Sequence, residues 1–267
     1  MISVITPVFN GEKHIEACIQ SVIDQQCDSV EHIIMDGLST DDTAKIAQGY
    51  AQRYKHIRLV SEPDNGQSDA MNKGIALAKG EILSILNVDD YYEQGAMNRA
   101  LEIFDTLTEP TLITGNCNVW DSRGNLLYVN KPDKLDITSL LLGWEYHPHP
   151  VNPVAYYYHK SLHDLCGGYD ATHHYTMDVD FILKAAKSVN TVYCDEIWGN
   201  YLFLEDTKTA QDQREGQAQA RYTALLREHR KQLSLSQQLD YLWKKWTQVK
   251  PVEARRKFRR LRRKLGV

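Results

Sequence analysis

No stretch of this 267-residue chain approaches the ~20 consecutive apolar residues that a bilayer-crossing helix needs, which argues against a membrane span. Cysteine is sparse and unpatterned. The five, Cys18, Cys27, Cys117, Cys166 and Cys194, are odd in number and show no CxxC spacing, so reduced thiols in a cytosolic protein are expected rather than a disulfide framework. No basic lead-in precedes the strand-like ISVITPVF, so no signal peptide is expected. A Gly-rich phosphate loop is also missing, since TPVFNGEKHI supplies one Gly before Lys13. No internal repeat is evident.

What the chain does contain is ordinary for a soluble globular protein, with 42% hydrophobic and 25% charged residues. Its length allows one large α/β domain with a helical appendage. Ile2–Pro7 reads as an apolar strand, followed by a turn at residues 8–11 and helical periodicity over Glu12–Gln26 through Ile15, Ile19, Val22 and Ile23. A second strand, His32–Met35, runs into Asp36-Gly37, and Ser39–Asp42 is placed to cap the next helix. Ile57–Val60 is a third strand. Strands alternating with helices predict a mostly parallel, doubly wound sheet.

The most informative segment is Glu62–Asp90, EPDNGQSDAMNKGIALAKGEILSILNVDD. It reads as a loop, a helix with Gln67, Ala70, Gly74 and Ala78 at helical spacing, and a buried-strand pattern over Glu81–Leu86. Two adjacent carboxylates, Asp89 and Asp90, then stand beyond the carboxyl end of the strand, where α/β sheets bind ligands. They offer hard oxygen ligands for Mg²⁺ or Mn²⁺, the usual partners of a diphosphate. A helix-capping turn is the competing reading.

Taken in order, TPVFN, MDGLSTDDT, EPDNGQSDAMNKG, AKGEI and LNVDD resemble the signature of family-two glycosyltransferases of the GT-A fold, densely over residues 1–125 and more loosely over 145–210. The LNxDD form is similar to a bacterial subgroup that builds cell-surface polysaccharide and exopolysaccharide. The resemblance implies a GT-A domain over 1–210, with a nucleotide-sugar half (1–125) and an acceptor and catalytic half (126–210). A helical extension (211–249) and a basic tail (250–267) follow.

It also implies roles. Thr6, Pro7 and Phe9 would line the base pocket, and Asp36 would accept a base N–H, most simply the imide of uracil. A plain Asp-Gly turn is the alternative for Asp36. Asn65, Gln67, Ser68 and Asp69 would lie beside the donor, although Asp69 equally suits a helix start. The family's metal motif is Asp-x-Asp. Here Asn87 takes the first position, so it is assigned to the ribose or an outer contact, Asp89 to Mg²⁺ or Mn²⁺, and Asp90 to support or to a helix cap. After Gly167-Gly168-Tyr169-Asp170, the resemblance makes Asp178 the general base of an inverting enzyme, with Asp180 nearby and simple helix capping as the alternative. A helix start lowers a carboxylate's pKa and burial raises it, and the two oppose each other at Asp178. The family's late Arg-x-His segment is absent, leaving Glu205 or water to complete the metal shell.

On the acceptor side, the run Trp144–Pro150 (WEYHPHP) makes Trp144, His147 and His149 candidate sugar contacts, while His173-His174 read as surface loop. Gln211–Val249 predicts long helical segments in which Trp243 and Trp246 are either core or interfacial anchors, core being the favoured alternative. Residues 250–267 hold nine Lys/Arg against Glu253 alone, so they carry +8 and residues 1–249 carry −12 within the total of −4. With Phe258, Leu261 and Leu265 at helical spacing, the tail suits an anionic membrane surface. Nucleic acid is disfavoured by the acidic body. The expected function is metal-dependent, inverting sugar transfer from a nucleotide sugar, UDP-linked first, to a saccharide or lipid-linked acceptor at the inner face of the cytoplasmic membrane. The alternatives are a sugar-1-phosphate nucleotidyltransferase, which the missing Gly-rich loop opposes, and a noncatalytic nucleotide-sugar binding protein.

Overall fold

The computed structural model describes residues 1–173, 175–204, 212, 214 and 216–252. Glu205, the residues after Val252 and His174 lie outside them, so the expectations for Glu205 as a metal ligand, for the tail anchors Phe258, Leu261 and Leu265, and for His174 do too.

The first half is three strand–helix units and a fourth strand. The strands are β1 (Ile2–Val8), β2 (Val30–Asp36), β3 (Ile57–Ser61) and β4 (Ile82–Ile85); the helices between them are α1 (Ile15–Ile23), α2 (Thr43–Arg53) and α3 (Gln67–Leu77). β1 lies between β2 and β4 and β2 beside β3, all parallel. These are the strands that the apolar runs predict. The second half is mixed. β5 (Tyr91–Tyr92) and α4 (Ala96–Phe104) lead to the long β6 (Thr111–Asp121), β7 (Leu126–Asn130) and α5 (Ile137–Leu140). A 3₁₀ turn at Pro153–Ala155, β8 (Tyr156–His159), α6 (Leu162–Cys166), α7 (Met177–Ser188) and β9 (Asn190–Phe203) follow. β8 joins β4 antiparallel, and β9 runs parallel along β6. The nine strands among the described residues form one sheet, ordered β3-β2-β1-β4-β8-β6-β9-β5 with β7 on β6. Beyond it lie α8 (Ala218–Lys231) and α9 (Leu235–Lys244), the latter continuing into a π-helical turn at Lys245–Val249.

Strand side chains alternate between faces, and here both faces are apolar because both are covered by helices. Ile5, Leu83, Leu112, Tyr156 and Tyr158 pack with Met71, Phe181 and Leu225 of α3, α7 and α8. Their neighbours Val4, Ile82, Ile113 and Tyr157 face the other way, against Cys18, Met97 and Trp198. The sheet therefore presents its strand ends, rather than a face, to any ligand.

Candidate active site

A cavity of about 710 Å³ opens at the carboxyl ends of β1 and β4. Pro7 and Phe9 leave β1 into it, Gly66, Gln67 and Ala70 open α3 on one wall, and Asn87 and Asp89 follow β4 at its floor. Met177 and Asp178 enter from the first turn of α7, and Tyr201 and Phe203 from the end of β9. Residues expected for donor, metal and base thus meet in one place although Pro7 and Asp178 are far apart in sequence.

The floor is a chain of hydrogen bonds. Gln67 Nε2 donates to Asn87 Oδ1 at 2.9 Å, and Asn87 Nδ2 donates to Asp90 Oδ2 at 3.0 Å. Asp90 is buried; its Oδ2 also accepts from Asn152 Nδ2 at 2.7 Å, and its Oδ1 accepts from the Leu202 N–H at 3.0 Å. Burial, and then the charge of Asp89, pushes the Asp90 pKa well above the usual carboxylate range, while the three N–H donors pull it back. Asp90 does not cap a following helix, because α4 begins at Ala96 behind left-handed Gly95. It ties β4 to β9 instead. With both Asp90 oxygens engaged by N–H donors, Asp89 is the carboxylate that faces the cavity. One such hard-oxygen ligand suits Mg²⁺ or Mn²⁺, which fill the rest of their shell with phosphate oxygens and water.

Asp178 is the second position of α7, behind Thr176 as the N-cap, so it does not cap the helix. Its Oδ1 is out of solvent and accepts no hydrogen bond from the described residues. Burial raises its pKa to about 7, so desolvation outweighs the helix start. Beneath it, Tyr156, Tyr158 and Tyr169 form a buried layer whose phenols are held above their ordinary values by burial first and by the Asp178 charge second or later. Asp180 plays no part in the cavity. It is buried, paired with Lys184 at 2.6 Å and hydrogen-bonded with His229 Nε2 of α8 at 2.8 Å.

Several expected donor contacts lie elsewhere. Thr6 is fully buried with Oγ1 2.9 Å from His32 Nε2, because its strand position points into the core between β1 and β2. The His32 ring is kept neutral there, burial lowering its pKa to about 3. Asp36 is buried too: Oδ1 accepts from the Ser39 N–H at 3.1 Å and Oδ2 from Ser61 Oγ at 2.5 Å, which fixes the loop after β2 and fits the turn reading. Asn65 gives its N–H to Asp69 Oδ2 at 2.9 Å, and Lys73 pairs with the same carboxylate at 3.2 Å. Asp69 is therefore a helix-start residue, its pKa lowered first by the Asn65 N–H. Ser68 is buried, its Oγ 2.8 Å from Met177 Sδ, so it holds α3 against α7 rather than reaching into the cavity.

Sequence reasoning passed over Asp64, Asn72 and Asn152. Asp64 lines the cavity and accepts the Gly66 N–H at 2.7 Å. Asn72 exchanges two hydrogen bonds with the Tyr169 backbone, 2.8 Å to its carbonyl and 2.9 Å from its N–H, and so pins the GGYD loop to α3. Asn152 holds Asp90 and accepts the Val154 N–H at 2.9 Å; the turn-forming Asn-Pro pair was its available signal.

A second cavity of about 750 Å³ adjoins the first and shares Tyr128, Val151 and Tyr175 with it. Trp144 and His149 line it, together with Tyr222 and Arg230. Their rings meet edge to face at 4.7 Å, and burial lowers the His149 pKa to about 4, so the imidazole is neutral. His147 does not line either cavity; its Nε2 meets the Lys134 carbonyl at 3.2 Å.

Comparison with known proteins agrees with this architecture. The chondroitin synthase of Escherichia coli is 31% identical over 128 residues, covering 48% of this chain and 18% of that protein. The uncharacterized glycosyltransferase YibD of Escherichia coli (strain K12) is 34% identical over 154 residues, covering 53% of this chain and 41% of that protein. The matched region thus spans well under half of these relatives. Among solved structures, S. aureus TarS 1-349 in complex with UDP-GlcNAc superposes with a TM-score of 0.61 at 17% identity, over 78% of this chain and 60% of that one. The mannosyltransferase PcManGT from Pyrobaculum calidifontis, in complex with GDP-Man and Mn2+, gives 0.56 at 18% identity over 84% and 63%. The fold is the GT-A type of these neighbours. The model of the family Glycosyl transferase family 2 matches residues 3–137, half of the chain, and the chain belongs to that family.

Proposed function

We propose that this protein is an inverting glycosyltransferase that moves a sugar from a nucleoside diphosphate sugar, UDP-linked first among the candidates, to a saccharide or lipid-linked saccharide in surface polysaccharide synthesis. The observation that carries this reading is Asp178: a desolvated carboxylate with an unpartnered oxygen and a pKa of about 7, in the same cavity as Asp89. A base poised near neutrality is what deprotonation of a sugar hydroxyl requires.

In this mechanism Pro7 and Phe9 hold the nucleotide base, and Gln67 and Asn87 orient the ribose and diphosphate. Asp89 would hold Mg²⁺ or Mn²⁺, with Asp90 supporting the floor behind it. The cation, when bound, offsets the negative charge that grows on the departing nucleoside diphosphate. The acceptor lies across the shared wall, against Trp144 and His149. Its hydroxyl oxygen attacks the anomeric carbon from the face opposite the diphosphate while Asp178 takes the hydroxyl proton. The bond from the anomeric carbon to the diphosphate oxygen breaks, its electron pair leaving with the nucleoside diphosphate. The nucleotide-sugar complexes of the TarS and PcManGT neighbours support the donor class. The +8 tail supports work beside the inner face of the cytoplasmic membrane.

The test is a panel of nucleotide sugars, with Mg²⁺, Mn²⁺ or chelator, read by nucleoside diphosphate release and by melting temperature. Metal-dependent stabilisation and turnover by a UDP-sugar is the expected result. Turnover of a nucleoside triphosphate with a sugar 1-phosphate, and none of any nucleotide sugar, would overturn the reading.

A further inference from the structure

An amphipathic surface helix ordinarily turns its apolar stripe inward. The last helix among the described residues does the opposite. Leu235, Leu239, Leu242, Trp243 and Trp246 recur at the spacing of one helical stripe, and each is between 57% and 80% exposed. The two indoles lie side by side, ring centroids 5.9 Å apart. α9 buries none of its residues fully. It is fastened by its polar side: Lys244 pairs with Asp136 at the head of α5 and meets Thr138 Oγ1 at 2.7 Å, and Asp240, which pairs with Lys244 within α9 at 2.9 Å, accepts from the Thr138 hydroxyl. Tyr241, on that inner side, packs against the core and beneath the Arg230 guanidinium, 5.3 Å from its ring. Core packing, the favoured sequence alternative for Trp243 and Trp246, is therefore corrected.

We propose that this outward stripe, Leu235 to Trp246, is a docking face that lies in the interfacial layer of an anionic lipid membrane. Three observations select lipid as the occupant. Two adjacent Trp and three Leu match the aromatic and aliphatic groups that partition at a membrane–water boundary. Exposed Lys245 and Lys250 flank the stripe, and residues 250–267 concentrate +8 immediately after it, complementary to anionic headgroups. A second copy docked stripe to stripe with its helix parallel would bring two such cationic segments together, which like charge opposes, and an antiparallel copy is an outcome that the test below separates from lipid. No helix among the described residues is long and apolar enough to cross a membrane, so the helix lies on the surface rather than spanning it. The inference deepens the membrane-side part of the proposed function and rests on it for its purpose.

The experiment uses the full chain, its Trp243→Ser/Trp246→Ser variant and a second variant, Leu239→Ser/Leu242→Ser. Each is sedimented with phosphatidylcholine vesicles with and without phosphatidylglycerol, and turnover of a nucleotide sugar with a soluble acceptor is measured in the same preparations. All substituted residues are exposed, so the fold is expected to persist. The expected result is a loss of roughly tenfold or more in vesicle partitioning for both variants, the size expected from withdrawing two buried side chains from lipid. Binding that persists at ~1 M salt, where screening acts beyond ~3 Å, should disappear with the stripe. Vesicles with brominated acyl chains should quench the indole fluorescence of the full chain. Unchanged partitioning of both variants overturns the proposal, as does a dimer that the substitutions dissociate while no form binds vesicles. Lost docking with intact turnover concerns the stripe alone, and absent turnover in the full chain concerns the function alone.

Discussion

At Asp178 two effects of opposite sign meet, and the structure decides between them. The first turn of α7 favours the anion, but an oxygen without solvent or donor favours the acid, and the pKa rises to about 7. The unfolded value is near ~3.9. Between those two values the folded protein holds a proton that the unfolded chain has released, so this site's contribution to stability falls as pH rises from about 4 through about 7. Asp178→Asn should remove that slope and raise the melting temperature at alkaline pH relative to the parent. It should also cut transfer by about 10²–10⁴-fold while donor binding persists. The parent's kcat/KM should show an acid limb near pH 7. A parallel fall in donor affinity and melting temperature would instead mark Asp178 as structural. Asp89→Asn makes a separate prediction: metal-dependent donor turnover vanishes and the melting temperature without metal is kept. Near-normal turnover at saturating Mn²⁺ would remove Asp89 from the metal.

Among elements, α3 has the most to organise. Gly74 lets it press on β1, where a Cβ would stand 2.5 Å from Ile5 Cγ2, and Ser68 and Asn72 carry it to α7 and the GGYD loop. Gly168 is required by that last contact, since a Cβ there would come 2.6 Å from Asn72 Oδ1. Gly168→Ala should therefore destabilise the protein by about 1–3 kcal/mol through overpacking. Because the displaced loop leads into Met177 and Asp178, kcat should fall more than KM rises. Wild-type kcat in this variant would show that the loop does not position the base.

At the scale of the molecule, charge is segregated, −12 over residues 1–249 and +8 over 250–267. A body of that sign is repelled by an anionic surface, and attraction through the tail must weaken with salt as the Debye length falls from ~10 Å at 0.1 M to ~3 Å at 1 M. Deleting residues 250–267 is expected to remove most binding to anionic vesicles at low salt and to leave turnover of a soluble acceptor unchanged. Co-sedimentation equal to that of the full chain would show that the tail is not an anchor.

The first four strands and three helices were legible because their signals are local. ISVITP, HIIM and EILSIL are apolar runs, and the intervening helices repeat with helical periodicity. Asp89 and Asp178 were legible for a related reason: each lies in a short run, LNVDD or YTMD, that resembles a family motif, and both line the cavity. Sequence alone could not say which side of a strand or helix each residue would take. Thr6 and Asp36 sit in motifs beside a ligand site, yet strand alternation and loop closure turn their side chains inward. Asn72 carries no local pattern, and the Asn-Pro pair at Asn152 signals only a turn, because their partners lie 97 and 62 positions away. The second half of the sheet was equally hidden, since β8 enters antiparallel between β4 and β6, a pairing between segments distant in sequence. The pKa of Asp178 needed burial to be known. So did the outward stripe of α9, whose periodicity reads the same whether its apolar face meets the core or the solvent; the Lys244–Asp136 contact turns it out.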